Sequence, residues 1–60
     1  MDERERIAAA VKQACIDTAL RAYEEAGISG LCAEGRWELA VDTMRNLDTK
    51  TLLASVEARD

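Results

Sequence analysis

The chain has no proline, and its three glycines, Gly27, Gly30 and Gly35, fall within nine residues of one another. Proline and glycine are the residues that most disrupt helices, so everything outside that cluster is free to be helical. The run before Gly27 is rich in Ala, Glu, Arg and Leu, all strong helix formers. Asp2 is placed to cap its start, with Glu5 three residues on, as in a capping box. Glu3 and Glu5 also suit the positive end of the helix dipole. Gly27 fits the left-handed position that ends many helices, so the first helix is read as residues 3–26. After a turn at 27–29, Ser29 serves as N-cap for a second helix over 30–46. Gly35 inside that helix would mark the close approach of another backbone. Asp48 or Thr49 caps a short third helix over 50–58. So short a first turn sends the second helix back antiparallel to the first. The expected fold is all-α, an antiparallel helical hairpin plus a short third helix, in one domain of residues 1–60.

The core available to such a domain is small. A compact chain of 6.6 kDa has a folded surface near ~3,900 Å² and hides only about 60% of what the unfolded chain exposes. Alanine supplies 11 of the 29 apolar residues, with one Trp, one Tyr and no Phe. A self-contained enzyme with a deep pocket is excluded on those numbers. Advancing about 100° per residue from Ile7, the residues Val11, Ala22, Cys15, Ala8, Ala19, Tyr23, Ile16, Ala9 and Leu20 fill an arc of about 220°. In the second helix Leu39, Cys32, Leu47, Ala40, Ala33, Met44, Trp37 and Val41 cover about 200°. A surface helix of a monomer needs a stripe of only about 100°. The third helix, ~14 Å long, cannot cover a first helix of ~36 Å. Both arcs therefore call for a second copy: a homodimer with a four-helix core, the third helix serving as a flap or exchanged arm. The interface candidates are Ala8, Val11, Cys15, Ile16, Leu20, Tyr23, Trp37, Leu39, Met44, Leu52, Leu53 and Val56. Counting from the turn, Tyr23 and Trp37 sit at one end, while Ala8, Ala9 and Ala10 leave the other end open to close approach.

Charge narrows the partners. Twelve acids against eight bases give −4, with no basic block. Neutralising phosphates takes clustered Lys and Arg, so nucleic acid is a poor expectation. No run approaches the ~18 apolar residues of a membrane span, and Met1 to Arg6 is too charged for a signal peptide. Two cysteines without such a signal point to reduced thiols in the cytoplasm.

Chemistry is constrained mainly by what is missing. Without histidine, Ser-His and Cys-His pairs and His-containing zinc sites cannot be built within one chain. In a hairpin Cys15 and Cys32 lie ~15 Å apart along the axis, too far for a disulfide. Both lie on apolar arcs as small hydrophobes, although Cys32, in the first turn of its helix, is also a candidate redox thiol. Glu34, Glu38 and Asp42 form a column spaced by four, which reads first as a solvated face and second as a divalent-metal site. The turn Gly27-Ile28-Ser29-Gly30 opens a helix N-terminus that could hold an anion, with Arg36 near it. It lacks the Gly-Lys-Ser/Thr of a P-loop and the preceding strand of a dinucleotide fingerprint. No cofactor is implied.

The stretch from Gly27 through Leu31-Cys32-Ala33-Glu34-Gly35-Arg36-Trp37-Glu38, continuing to Met44-Arg45 and Leu47-Asp48, resembles a group of short, uncharacterised bacterial proteins. Some of these carry an acetyltransferase label. That label implies an Arg/Gln-x-x-Gly-x-Gly/Ala loop between a strand and a helix. Glu24-Glu25-Ala26-Gly27-Ile28-Ser29 lacks its Arg/Gln and its final Gly/Ala, and follows a helical run. In shape the chain is similar to the ROP-type dimer of helical hairpins, which implies an architecture and no function. The expectation is a non-enzymatic protein-interaction or regulatory module, with Tyr23, Arg36, Trp37 or the third helix meeting a protein partner. The alternatives are an accessory protein or small enzyme with a carboxylate-bound divalent metal, or a thiol-based redox role at Cys32.

Overall fold

The structure, a computed structural model, describes residues 2–58, and every element among them is a helix. Helix α1 runs Glu3–Ile28, α2 Ala33–Arg45 and α3 Thr49–Ala58. Asp2 opens α1 as its composition predicts: the Glu5 amide donates to its carboxylate at 3.0 Å. At 26 residues α1 is ~39 Å long, which accounts for the full 41 Å length of a molecule only 17 × 16 Å across.

The first turn differs from the sequence expectation. Gly30, with φ of 89°, takes the left-handed position, and Gly27 remains helical. The Leu31 amide donates to the Ala26 carbonyl and the Gly30 amide to the Gly27 carbonyl, each at 3.0 Å. That pair of bonds is a Schellman ending with Ser29 as C-cap. Ser29 is therefore spent ending α1 and does not cap α2, which starts at Ala33 behind an N-cap, Cys32, that makes no side-chain bond. The same two bonds use the amides of Gly30 and Leu31, so these are not free for an anion.

Gly27 is kept small by a side chain. A Cβ there would lie 2.9 Å from an Arg36 guanidinium nitrogen. Arg36 Nε in turn donates to the Leu31 carbonyl at 2.9 Å, and its guanidinium carbon lies 5.7 Å from the centre of the Tyr23 ring. One arginine thus ties α2 back onto the last turns of α1. Gly35 marks no backbone contact, contrary to expectation: a Cβ there would meet the Leu31 side chain at 3.0 Å.

The second junction is simpler. Asn46 ends α2, its amide donating to the Asp42 carbonyl at 3.0 Å. Asp48, rather than Thr49, caps α3: it accepts from the Thr51 amide at 3.0 Å and the Thr51 hydroxyl at 2.7 Å. The Thr51 hydroxyl, followed by backbone amides, holds the Asp48 carboxyl below its ordinary value despite a small opposing effect of desolvation.

Helices α2 and α3 both pack on α1, and no packing between α2 and α3 occurs among the described residues. Helix α3 is too short to cover α1, as its length requires, and its Leu52 and Val56 line a groove with Ile7 and Val11. Helix α2 packs toward the turn end of α1 and α3 toward its start, on neighbouring faces about 100° apart. Two short helices on neighbouring faces of a long one enclose almost no interior. Among the described residues only Ala26, Ala40 and Val56 are buried, and no large side chain is fully enclosed.

Candidate functional site

Three faces of α1 can be separated by turning about 100° per residue. One face, with Ile7, Val11, Ala10 and Ala14, is half-buried and borders α3. A second, with Cys15, Ala19, Ala22 and Ala26, is half-buried or buried, and its Ala22 and Ala26 adjoin Leu39 and Thr43 of α2. The third face carries Ala9, Ile16, Leu20 and Tyr23, all exposed, Leu20 at 64%. Its axis lies about 100° beyond the α2 face. Because α2 returns along α1, Trp37 projects toward the same side of the helix pair as Tyr23, and it is 63% exposed.

Exposure of large apolar side chains on this scale is a surface property with an energetic meaning. Monomeric proteins seldom leave contiguous apolar patches uncovered, because each ~25 cal/mol per Å² of apolar area favours its removal from water. Ile16, Leu20 and Tyr23 of α1 and Trp37 of α2 form such a shelf on one side of the pair. It is polarised along its length: two aromatic rings and Arg36 at the turn end, and exposed Ala8 and Ala9 at the other.

The remaining interface candidates distribute differently. Val11, Cys15, Met44 and Leu52 are half-buried and Val56 is buried, all within the single chain. Leu39 and Leu53 are exposed at 42% and 40%, Leu39 beside Ala22 and Ala26, Leu53 over the α1–α3 groove. That groove has a volume of about 190 Å³ and an almost wholly apolar lining, with Thr49 and Lys50 at its rim. Ile28, 83% exposed, was not among the candidates. The sequence placed it in a turn, where no helical face is assigned; its apolar character next to Gly27 was the only signal.

The chemical candidates are not brought together. Glu34, Glu38 and Asp42 are all exposed along α2, and no group of three or more Asp, Glu or Cys among the described residues is placed to hold a metal ion. Cys32 is an exposed free thiol at the start of α2, and Cys15 a half-buried one against the second face. Among the described residues no helix is long and apolar enough to cross a membrane. No protein-family model matches the chain, and no curated protein or solved structure is detectably similar to it.

Proposed function

We propose that this chain is a non-enzymatic protein-interaction module that works as a homodimer, two α1–α2 hairpins closing a four-helix core through the face of Ile16, Leu20, Tyr23 and Trp37. The observation that carries the reading is the amount of surface left over. The accessible surface is 4732 Å², about a fifth above the ~3,900 Å² expected of a compact chain of this mass. The surplus is close to the ~800 Å² that each partner contributes to an interface of standard size. A second copy is the partner always present at matching concentration, and a twofold interface needs only one self-complementary patch.

Size exclusion with light scattering over a dilution series tests this directly. The expected mass is twice 6.6 kDa, falling toward 6.6 kDa only at the lowest concentrations. Leu20→Glu sharpens the result. In a monomer the change falls on a largely exposed side chain, whereas at a dimer seam it buries an unpaired charge and should raise the dissociation constant by about 100-fold or more. A folded species at 6.6 kDa throughout, binding no dye for exposed apolar surface, overturns the proposal.

A further inference from the structure

We infer that the second copy docks antiparallel along α1, about a twofold axis level with Thr18, so that the aromatic end of each chain lies on the alanine end of the other. This rests on the dimer reading and adds the orientation, which that reading leaves open. On the exposed third face, Ala9, Gln13, Ile16, Leu20 and Tyr23 follow one another at alternating steps of four and three, and the half-buried Gly27, covered by the Arg36 guanidinium, comes four residues further on. That alternation is the seam of one helix against another. The six positions stand at equal steps on either side of Thr18: Ile16 and Leu20 at two, Gln13 and Tyr23 at five, Ala9 and Gly27 at nine. An antiparallel pair therefore sets Ile16 against the twin's Leu20, the Gln13 amide against the Tyr23 ring and hydroxyl, and Ala9 against the Arg36 guanidinium that covers Gly27.

A parallel pair would satisfy the same spacing, so the choice rests on what lies beside the seam. Arg36 sits over Tyr23 and against Gly27, and Trp37 follows it on the exposed side. Parallel docking would bring two guanidinium groups and two indoles to one end and leave the alanine ends facing each other across a gap. Antiparallel docking separates the charges by the length of the seam. It also brings each Arg36 toward the twin's Glu5, which is exposed on this face one turn before Ala9. Trp37 then covers the twin's Ala8, a small side chain where a large one would collide.

Spin labels read the orientation. In a background with Cys15→Ala and Cys32→Ser, a nitroxide is attached at Glu3→Cys or at Arg21→Cys, both exposed and about 130° around α1 from the seam, and interspin distances are measured in the dimer. Antiparallel docking places the two Glu3 positions ~45 Å apart along the axis and the two Arg21 positions ~9 Å apart. The expected result is a clear drop in distance from the first variant to the second. Two short and similar distances overturn the orientation and leave the dimer standing, provided light scattering on the same samples gives twice the chain mass. A single-chain mass in the unlabelled background overturns both.

Discussion

The two ends of α1 are held by different means. At the turn end α2 is fastened by backbone geometry and one polar side chain: the Schellman bonds of Gly30 and Leu31, and Arg36 reaching both Leu31 and Tyr23. The buried residues there are the alanines Ala26 and Ala40, which let the two helices approach closely. At the other end α3 depends on aliphatic contact, with Val56 the one buried side chain and Leu52 beside it. The turn end is fixed by backbone conformation and hydrogen bonds, whereas α3, though capped by Asp48, is held on α1 by aliphatic burial. Burial is easily undone by one substitution, so the ends should fail separately.

Val56→Asp is the strongest way to break that contrast. A carboxylate in place of the buried valine loses its apolar contacts and has no cation among the side chains lining its site except the rim Lys50, at an expected cost of roughly 3 kcal/mol. Amide hydrogen exchange should show residues 52–58 losing protection while those of α2 keep theirs. Equal loss in α2 would mean the ends form one cooperative unit. At the turn end the matching change is Ala26→Leu, which overfills the contact with α2 and should cost about 2 kcal/mol, read as a lowered midpoint in thermal unfolding. Neutral behaviour there would show that the helices are not closely packed at Ala26.

The backbone component is smaller. Gly30→Ala should cost about 1 kcal/mol, because a Cβ in the left-handed region is strained even though nothing crowds it. The same substitution at Gly27, in helical conformation, instead displaces the Arg36 guanidinium. Smaller again is the Arg36–Tyr23 contact. A double-mutant cycle with Arg36→Gln and Tyr23→Leu should return a coupling of about 0.5–1 kcal/mol, and zero coupling would leave Arg36 acting only through Leu31.

Helix content and count were legible because nothing in the chain competes with them: no proline, three clustered glycines, and a carboxylate at Asp2 that can only cap. The first turn was not. Gly27 and Gly30 each suit a left-handed residue, and Ser29 between them suits either the end of one helix or the start of the next. The outcome follows from Arg36, which fills the space over Gly27, and from Leu31, whose amide completes the six-residue ring to Ala26. Both are contacts across the turn that no local pattern reports. The apolar arcs were legible as too wide. How they are shared was not, since periodicity measures circumference without saying which sector a neighbour takes. The division emerged only when α2 and α3 proved to take neighbouring faces of α1, leaving Ile16, Leu20 and Tyr23 exposed on the third.

The least of the expected effects is a dependence on pH confined to the α3 end. Asp48 holds the Thr51 hydroxyl and amide, and those bonds favour its charged form, which lowers its carboxyl from the ordinary 3.8. A carboxylate with a depressed value in the folded state binds fewer protons there than in the unfolded one. The cap therefore contributes fully above the ordinary carboxylate range and is lost as pH falls through 3.8 and below the depressed value. Asp48→Asn keeps an acceptor for the Thr51 amide but has no charge to titrate. Hydrogen exchange in the first turn of α3, measured from pH 5 down to about pH 2.5, should therefore loosen progressively in the native chain and stay level in the variant once the intrinsic pH dependence is removed. Matching curves would assign the fixing of α3 wholly to Val56 and Leu52, and the contrast between the two ends of α1 would be sharper still.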